Sequence, residues 1–551
     1  MGIIEEIANR YVTRFCELDP VSATEYGIAG YDAMMTDVSP AGFAARAELD
    51  RATAAELRQA AAGEDERTAR AAMLERLDNK YEYYSSGDET SELNVVECWI
   101  QGVRQVFDQM PADGEEAQRN LAARMAAVPA AYAGLRHTYQ QSAEHGRVSA
   151  ARQVSACAKQ CSEWSAPDSD FYGGLVRRAG ATGTLLADLE RAAEAARAAT
   201  AELGEFLRRA LLPLAPERDA AGRERYARAS RTFLGTAVDL DEAYEWGWSE
   251  VRRIQAEMRQ VAGQIVAGGT VTDAAAALEA DPARKINGRD RLRAWMQQCA
   301  DRAVAELNGT HFDIPGPAQR IECMIAPTSG GGMYYTAPSE DWTRPGRIWW
   351  AIPDGVNDFS TWQEVTTIYH EGVPGHHLQG AQAMLMKDKL NRWERLVCFV
   401  SGQGEGWALY AERLMDELGY LDDPGDRLGM LDAQLLRAAR VVVDLGVHLQ
   451  LAVPRDSAWQ PGRVWNADLA WEFLRALVQT EEESLRFELD RYLGWPGQAP
   501  SYKLGERFWL QARDDARRRK GEAFDLKDFH TKALSLGSIG LDPLRDALAR
   551  L

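Results

Sequence analysis

The spacing of hydrophobic positions predicts helices along most of the chain. Residues 43–62, 183–212 and 272–280 are rich in Ala, Glu, Arg and Leu, and their apolar side chains recur every three or four positions. Residues of high helix propensity at that spacing are typical of amphipathic helices that pack into bundles. The chain is therefore predicted to be mainly α-helical.

A break in this helical pattern lies near residue 215. Pro213, Pro216 and the charged residues 217–219 interrupt the periodicity. With 551 residues, the chain is longer than an ordinary single domain. We predict an N-terminal helical lobe over residues 1–215 and a second lobe over residues 216–551, joined into one continuous two-lobed unit.

The pattern changes between residues 312 and 355, which are rich in Gly, Pro and aromatic residues. Residues 333–336 and 347–352 resemble short strands, and Pro345-Gly346 between them favours a turn. A small antiparallel sheet is predicted here. Directly afterwards, residues 361–364 (Thr-Trp-Gln-Glu) have the form of a capping box, which predicts the start of a helix.

Composition and charge exclude several classes of function. The formal net charge of -20 argues against a nucleic-acid partner, which requires clustered Lys and Arg. No apolar run reaches the roughly eighteen residues of a membrane span, and the acidic N-terminus does not resemble a secretory signal. The seven scattered cysteines are typical of reduced thiols. These features predict a cytoplasmic protein without a membrane partner, and they leave its oligomeric state open.

The histidines are concentrated in one place. The chain has only eight, and three of them lie at positions 370, 376 and 377, with Glu371 beside the first. In the sequence His-Glu-x-x-His, two histidines one helical turn apart bind a metal ion and the glutamate acts as a base. Core packing does not favour such a cluster. The cluster therefore indicates a zinc site with His370 as a ligand and Glu371 as the general base.

This segment departs from the His-Glu-x-x-His pattern, because Pro374 stands where the second histidine is expected. Deleting Pro374 and Gly375 restores the spacing on His376, so we interpret the pair as an insertion that interrupts the helix and redirects the next side chain. His377, seven residues after His370, would return to the same face of an unbroken helix. We favour His376 as the metal ligand, which leaves His377 to orient a ligand or to bind substrate.

A catalytic zinc ion usually has three protein ligands and one open position. The segment from Glu405 to Glu412 (Glu-Gly-Trp-Ala-Leu-Tyr-Ala-Glu) supplies the best third ligand, because Glu405 lies among small residues that allow close helix packing. Glu412 follows seven residues later on the same helix face and is predicted to orient one of the histidines.

The runs HEGVPGHHLQ, EGWALYAERL, QAPSYKLG and DLKDFH, together with residues 19–27 (DPVSATEYG), resemble the bacterial family catalogued as domain of unknown function 885. The resemblance covers nearly the whole chain. It implies a large, two-lobed, helical zincin-like fold, distantly similar to thimet oligopeptidase and carboxypeptidase Taq. In those relatives a deep cleft separates the lobes and zinc lies at its floor. The resemblance supplies no substrate, and those peptidases lack the Pro-Gly insertion.

The same resemblance indicates two donors that could stabilise negative charge on a carbonyl oxygen during hydrolysis, Tyr502 and His530. Tyr334 and Tyr335 have two interpretations. They could lie on a strand edge that binds an extended substrate, or they could simply cover the helix that carries His370.

Together these features predict a zinc-dependent hydrolase of peptide bonds in short peptides, similar to a carboxypeptidase or a dipeptidase. A metal-dependent amidase or tailoring hydrolase that acts on a peptide-like metabolite is the alternative. A non-catalytic metal-binding protein agrees less well with the sequence, because a structural zinc ion normally has four protein ligands and no use for a base such as Glu371.

Overall fold

Helices account for most of the chain in the computed structural model, which describes residues 2–111, 113–326, 332–339, 342–353 and 355–551. The three stretches selected by their hydrophobic spacing form helices at Pro40–Gln59, Gly183–Phe206 and Val271–Ala280. Among the described residues, none of the helices is both long and apolar enough to cross a lipid bilayer. The prediction of a mainly α-helical chain is confirmed.

The chain forms two compact units. The first extends to Arg228 and also includes Val447–Leu449 and Arg486–Pro496. The second consists of Ala229–Gly446, Gln450–Leu485 and Gly497–Leu551. The break predicted near residue 215 follows a 3-10 turn at Leu212–Leu214.

The helices of the described residues are, in chain order, α1 (Ile3–Leu18), α2 (Pro20–Glu25), α3 (Pro40–Gln59), α4 (Arg67–Ser85), α5 (Asp88–Ser91), α6 (Trp99–Gln109), α7 (Glu115–Glu144), α8 (Ala151–Ser165), α9 (Phe171–Ala179), α10 (Gly183–Phe206), α11 (Arg223–Leu234), α12 (Leu240–Ile265), α13 (Val271–Ala280), α14 (Arg289–Leu307), α15 (Glu364–Glu371), α16 (His376–Leu385), α17 (Ser401–Glu417), α18 (Pro424–Leu449), α19 (Ala467–Leu477), α20 (Glu482–Gly494), α21 (Ser501–Lys520), α22 (Leu526–Leu534) and α23 (Leu541–Ala549).

In the first unit, residues 19–27 are held by a helix cap and by a buried arginine. Asp19 caps α2 by accepting a hydrogen bond from the backbone N–H of Ser22. The buried guanidinium of Arg124 on α7 donates to the hydroxyl of Thr24 at 2.9 Å and to the backbone oxygen of Pro20 at 3.2 Å, both within this segment. Buried charged groups are stable only when they are hydrogen-bonded in this way. This segment therefore has a structural role in the first unit.

The second unit contains the predicted sheet. Strands β2 (Ile321–Ile325), β3 (Gly332–Thr336) and β4 (Gly346–Ala351) are arranged in the order β2-β4-β3, and β3 pairs with β4 in antiparallel register. This confirms the antiparallel pair. The parallel strand β2 was not predicted, nor was the separate antiparallel pair of β1 (Lys285–Asn287) and β5 (Asp358–Ser360).

The sheet packs against the helix that carries His370. Buried Ile348 of β4 belongs to one apolar cluster with Leu292 of α14 and Ile368 of α15. Helix α15 begins at Glu364, two residues later than a cap at Thr361 would place it, so the predicted capping box is wrong. Gln363 is the N-cap residue and makes no capping hydrogen bond with its side chain. The Thr361 hydroxyl donates to the backbone oxygen of Arg284.

Helices α17 and α21 touch through their backbones. A Cβ atom on Gly406 would lie 2.4 Å from the carbonyl carbon of Gly505, and a Cβ on Gly505 would lie 2.0 Å from the backbone oxygen of Gly402. Only glycine allows this approach. The sequence prediction that small residues around Glu405 permit close helix packing is thereby confirmed.

Candidate metal centre

The helix that carries His370 is interrupted just before Pro374. Helix α15 ends one residue after His370, and α16 begins at His376. In the intervening turn, the N–H of Gly375 donates to the backbone oxygen of Tyr369 at 3.1 Å. A Cβ atom on Gly375 would lie 2.0 Å from the backbone oxygen of His370, so only glycine fits. The predicted interruption by the Pro-Gly pair is confirmed.

A tryptophan of α17 holds this turn. The indole Nε1–H of buried Trp407 donates to the backbone oxygen of Pro374 at 2.9 Å. Glu405 lies two residues before Trp407 on the same helix. The helix that presents Glu405 therefore also fixes the turn that leads into His376.

His370, His376 and Glu405 direct their donor atoms toward one point. Glu405 Oε2 lies 3.4 Å from Nε2 of His370 and 3.4 Å from Nε2 of His376, and one ligand atom from each residue lies within 4.8 Å of the others. Two ligands about 2.1 Å from a tetrahedral zinc ion lie about 3.4 Å apart. The three residues therefore fit a zinc ion, with a fourth position left for another ligand.

Two further side chains orient His370. Its Nδ1–H donates to Glu412 Oε1 at 2.7 Å, and the hydroxyl of Thr366 donates to the other oxygen of Glu412 at 2.6 Å. This arrangement leaves Nε2 of His370 as the atom that faces Glu405. Metal-binding histidines typically donate their second N–H to a carboxylate in this way. The predicted orienting role of Glu412 agrees with this geometry, and His370 is the histidine concerned.

The carboxylates determine the proton affinity of the cluster. Burial lowers the pKa of His370, but the hydrogen bonds to Glu405 and Glu412 outweigh it and raise that pKa to about 10. Burial raises the pKa of Glu405, yet the charges and hydrogen bonds of His376 and His370 hold it well below its usual range. The cluster therefore attracts a positive charge strongly. A proton and a metal ion compete for the same lone pair on His370.

Glu371 lies beside the cluster but is not one of the three converging residues. It is buried, and burial raises the pKa of its carboxyl group. The charges of His370 and His376 oppose this rise, while that of Glu405 adds to it. Raised basicity in a buried carboxylate is what a proton acceptor near neutral pH requires.

His377, the alternative ligand, faces away from the cluster. Its Nε2–H donates to the backbone oxygen of Ala318 at 2.8 Å, so its Nδ1 accepts the hydroxyl hydrogen of Tyr335 at 3.1 Å. The side chain is fully buried, and burial lowers its pKa to about 4. Both ring nitrogens thus bond to protein atoms, and His376 is the histidine that meets His370 and Glu405.

Tyr334 and Tyr335 occupy the edge strand β3, and they point in different directions. Tyr335 contacts α16 through His377, as expected for a residue that covers the helices of the candidate metal centre. Tyr334 is 39% exposed and stacks on Trp349 with ring centroids 6.2 Å apart. Tyr335 thus has the contacts of a covering residue, while substrate binding at Tyr334 stays a prediction.

Tyr502 and His530 lie in different surroundings. Tyr502, in the first turn of α21, is half-buried beneath the guanidinium of Arg440, which lies 4.8 Å from its ring centre. His530 is buried in an aromatic cluster, stacked on Phe312, with Nε2 bonded to the hydroxyl of Tyr410 at 2.8 Å. Burial, together with the charge of Arg513, lowers the pKa of His530 to about 3.

Three residues near the centre were missed in the sequence. Thr366 lies four residues before His370 on the same helix face, a spacing that could have identified it. The local sequence around Trp407 does not indicate its role, because its contact with Pro374 depends on the tertiary fold. Nor does the local sequence indicate the role of Arg437 of α18. Its charge helps to hold down the pKa values of Glu371 and Glu412.

Comparisons with known proteins add the family and the fold. No curated protein sequence matches the chain. The crystal structure of the "putative lipoprotein" from Colwellia psychrerythraea is similar, with a TM-score of 0.85 and 21% sequence identity over 99% of this chain and 98% of that one. A "putative lipoprotein of unknown function" from Shewanella oneidensis gives a TM-score of 0.75 and 18% identity over 100% of both chains. At these identities the likeness shows a shared fold.

The model of one protein family matches residues 20–548, a range that includes α15, α16, Glu405 and Tyr502. That match covers nearly the whole chain. The chain belongs to the family described as "Bacterial protein of unknown function (DUF885)".

Proposed function

We propose that the chain is a zinc-dependent hydrolase of peptide bonds in short peptides, with a zincin-like active site and an activity similar to that of a carboxypeptidase or dipeptidase. The observation that carries the proposal is the convergence of His370, His376 and Glu405 at spacings that suit zinc. Structural zinc sites normally use four protein ligands, whereas catalytic sites use three. A buried carboxylate beside the three ligands, that of Glu371, adds the base that hydrolysis needs.

The roles of the side chains follow from their positions. Zinc, when bound, supplies a Lewis acid and lowers the pKa of a coordinated water molecule to about 7. Glu371 accepts the proton of the attacking water and passes it to the leaving amine. Glu412 holds His370 in the tautomer whose Nε2 lone pair faces the metal position.

The substrate class is supported by the edge strand β3. The free edge of a strand binds an extended peptide through main-chain hydrogen bonds. Tyr334, exposed on this strand, offers an aromatic surface to the peptide. Of the two residues considered for stabilising the carbonyl oxygen, the half-buried Tyr502 is favoured over His530, which is enclosed by aromatic rings.

Metal analysis combined with a substrate screen tests the proposal. Purified protein is expected to carry about one zinc ion per chain. It is then incubated with dipeptide and tripeptide libraries before and after treatment with a chelator, and the products are identified by mass spectrometry. Cleavage that stops on chelation and returns with zinc supports the proposal. A zinc-loaded protein that leaves every peptide intact contradicts it, and cleavage confined to non-peptide amides favours an amidase.

A cytoplasmic location stays a prediction and forms part of this proposal. The seven cysteines, scattered along the sequence, support a reducing compartment. Cell fractionation with an antibody against the chain measures the location directly.

A further inference from the structure

The first unit contains two thiols that share one hydrogen-bond acceptor. Cys98 is the N-cap residue of α6, and Cys157 lies on α8. Their sulfur atoms lie 3.6 Å and 3.1 Å from the backbone oxygen of Asn94. Both sulfurs thus lie beside the same oxygen atom, and each thiol affects the pKa of the other.

One side chain holds this pair together. The amide of Gln101 places its Oε1 2.8 Å from the sulfur of Cys98 and its Nε2 3.9 Å from the sulfur of Cys157. The two hydrogens of Nε2 go to the backbone oxygen of Asn94 and to Oε1 of Gln160, so the orientation of the amide is fixed. Both sulfurs therefore contact one amide group whose orientation is set by buried hydrogen bonds.

The two thiols differ in reactivity. Cys98 is half-buried and lies at the N-terminus of an eleven-residue helix, where backbone N–H groups favour a negative charge. Burial raises the pKa of its thiol, but the neighbouring Cys157 and backbone hydrogen bonds, such as that from the N–H of Gln101, lower it overall. Burial keeps the pKa of Cys157 well above its ordinary value. Cys98 is therefore the nucleophile of the pair and Cys157 its buried neighbour.

We propose that Cys98 and Cys157 form an oxidation site for hydroperoxides, independent of the metal centre. The Cys98 thiolate attacks one peroxide oxygen, the O–O bond breaks, and Cys98 becomes a sulfenic acid while the other oxygen leaves as water or an alcohol. The sulfur of Cys157 then attacks the sulfur of Cys98, a disulfide forms and the sulfenic hydroxyl leaves as water. The two thiols supply the two electrons and two protons that reduce the peroxide.

The test uses the full-length protein and hydrogen peroxide. Counting thiols after denaturation should show a fall from seven to five in the wild-type protein, and peptide mapping should find a Cys98–Cys157 disulfide. Cys98→Ser is expected to keep its remaining thiols. Cys157→Ser should accumulate a sulfenic acid at position 98 that a dimedone probe captures. Cys161→Ser, a matched control one helical turn from Cys157, is expected to form the disulfide as the wild type does.

Three results would overturn the proposal. The wild-type protein could keep all seven thiols, the disulfide could map to another pair, or Cys161→Ser could abolish it while Cys157→Ser did not. Peptide mapping of the wild-type protein decides the matter even where a variant fails to fold. None of these measurements depends on hydrolytic activity.

Discussion

Two buried histidines of the second unit behave in opposite ways. His370 and His530 are 3% and 1% exposed, so both lose nearly all contact with water. Next to Glu405 and Glu412, the pKa of His370 rises to about 10, whereas the aromatic rings around His530 and the charge of Arg513 leave its pKa at about 3.

The difference shows what makes a buried histidine able to bind a cation. Burial alone disfavours the positive charge, and only neighbouring carboxylates reverse this effect. His370 therefore lies among carboxylates that favour a positive charge, while His530 lies among aromatic rings and beside the positive charge of Arg513. The predictions below test this contrast, from the largest expected effect to the smallest.

Removing one of the proposed metal ligands should abolish metal binding. We expect His370→Ala and Glu405→Ala to lose most of the roughly one zinc ion per chain, because these groups form the site themselves. His530→Gln serves as the matched control and should keep its zinc. Plasma emission spectrometry on the purified variants measures the content, and full zinc in both ligand variants would show that the site is misassigned.

Replacing His376 or its neighbour His377 should affect metal binding differently. His376→Ala should lose the metal, because Nε2 of His376 faces Glu405. His377→Ala should keep the metal and lose only part of the activity, since its ring bonds to Ala318 and Tyr335. Zinc titration of the two variants compares them under identical conditions. The reverse order of affinities would show that His377 is the ligand.

Glu371→Gln keeps the size of the side chain and removes the base. General-base catalysis typically contributes a hundredfold to ten-thousandfold in rate, so we expect peptide hydrolysis to slow by at least about a hundredfold with zinc still bound. Steady-state kinetics on a cleaved peptide, with zinc content measured in parallel, checks this. Hydrolysis at the wild-type rate would leave the metal site intact but disprove the mechanism.

Glu412→Ala should weaken zinc binding without abolishing it. Loss of the carboxylate that orients a metal-binding histidine typically costs about tenfold to a hundredfold in metal affinity. Competition with a chromogenic chelator measures the change. Glu417→Gln, on the same helix but paired with Arg513, is the control and should bind zinc as the wild type does.

Zinc affinity should depend on pH. His370 titrates near pH 10 in the folded chain without a metal, so below that pH zinc must displace a proton from it. Between about pH 7 and pH 9 the affinity should therefore rise by about tenfold per pH unit for this one proton. Calorimetry in buffers of different ionisation enthalpy counts the protons released. A pH-independent affinity would mean that His370 binds no proton in this range.

The features of the candidate metal centre that depend on local chain geometry could be predicted from the sequence. Pro374 cannot continue a helix, so the interruption before His376 follows from the sequence alone. The spacing of Glu405 and Glu412 places both on one helix face, and Glu412 does bond to His370.

The parts that could not be predicted depend on contacts between distant segments. Strand β2 joins β4 in parallel register, and the sequence of β2 does not indicate its partner. The capping box failed because Thr361 lies outside helix α15, whose N-cap is Gln363, and it bonds to Arg284, far away in the chain. The surroundings of His530 were equally hidden, since Phe312, Tyr410 and Arg513 come from separate elements.

The contact between Gly406 and Gly505 has a consequence for how this sequence can evolve. Neither glycine carries a side chain that could bind a metal, yet a methyl group on either would separate α17 from α21. Glu405 precedes Gly406 directly, so a displaced α17 would carry this carboxylate away from His370 and His376. Gly505→Ala would thus disturb the candidate metal centre without changing any of its ligands. Substitutions at this position of α21 are therefore limited by residues that Gly505 does not contact.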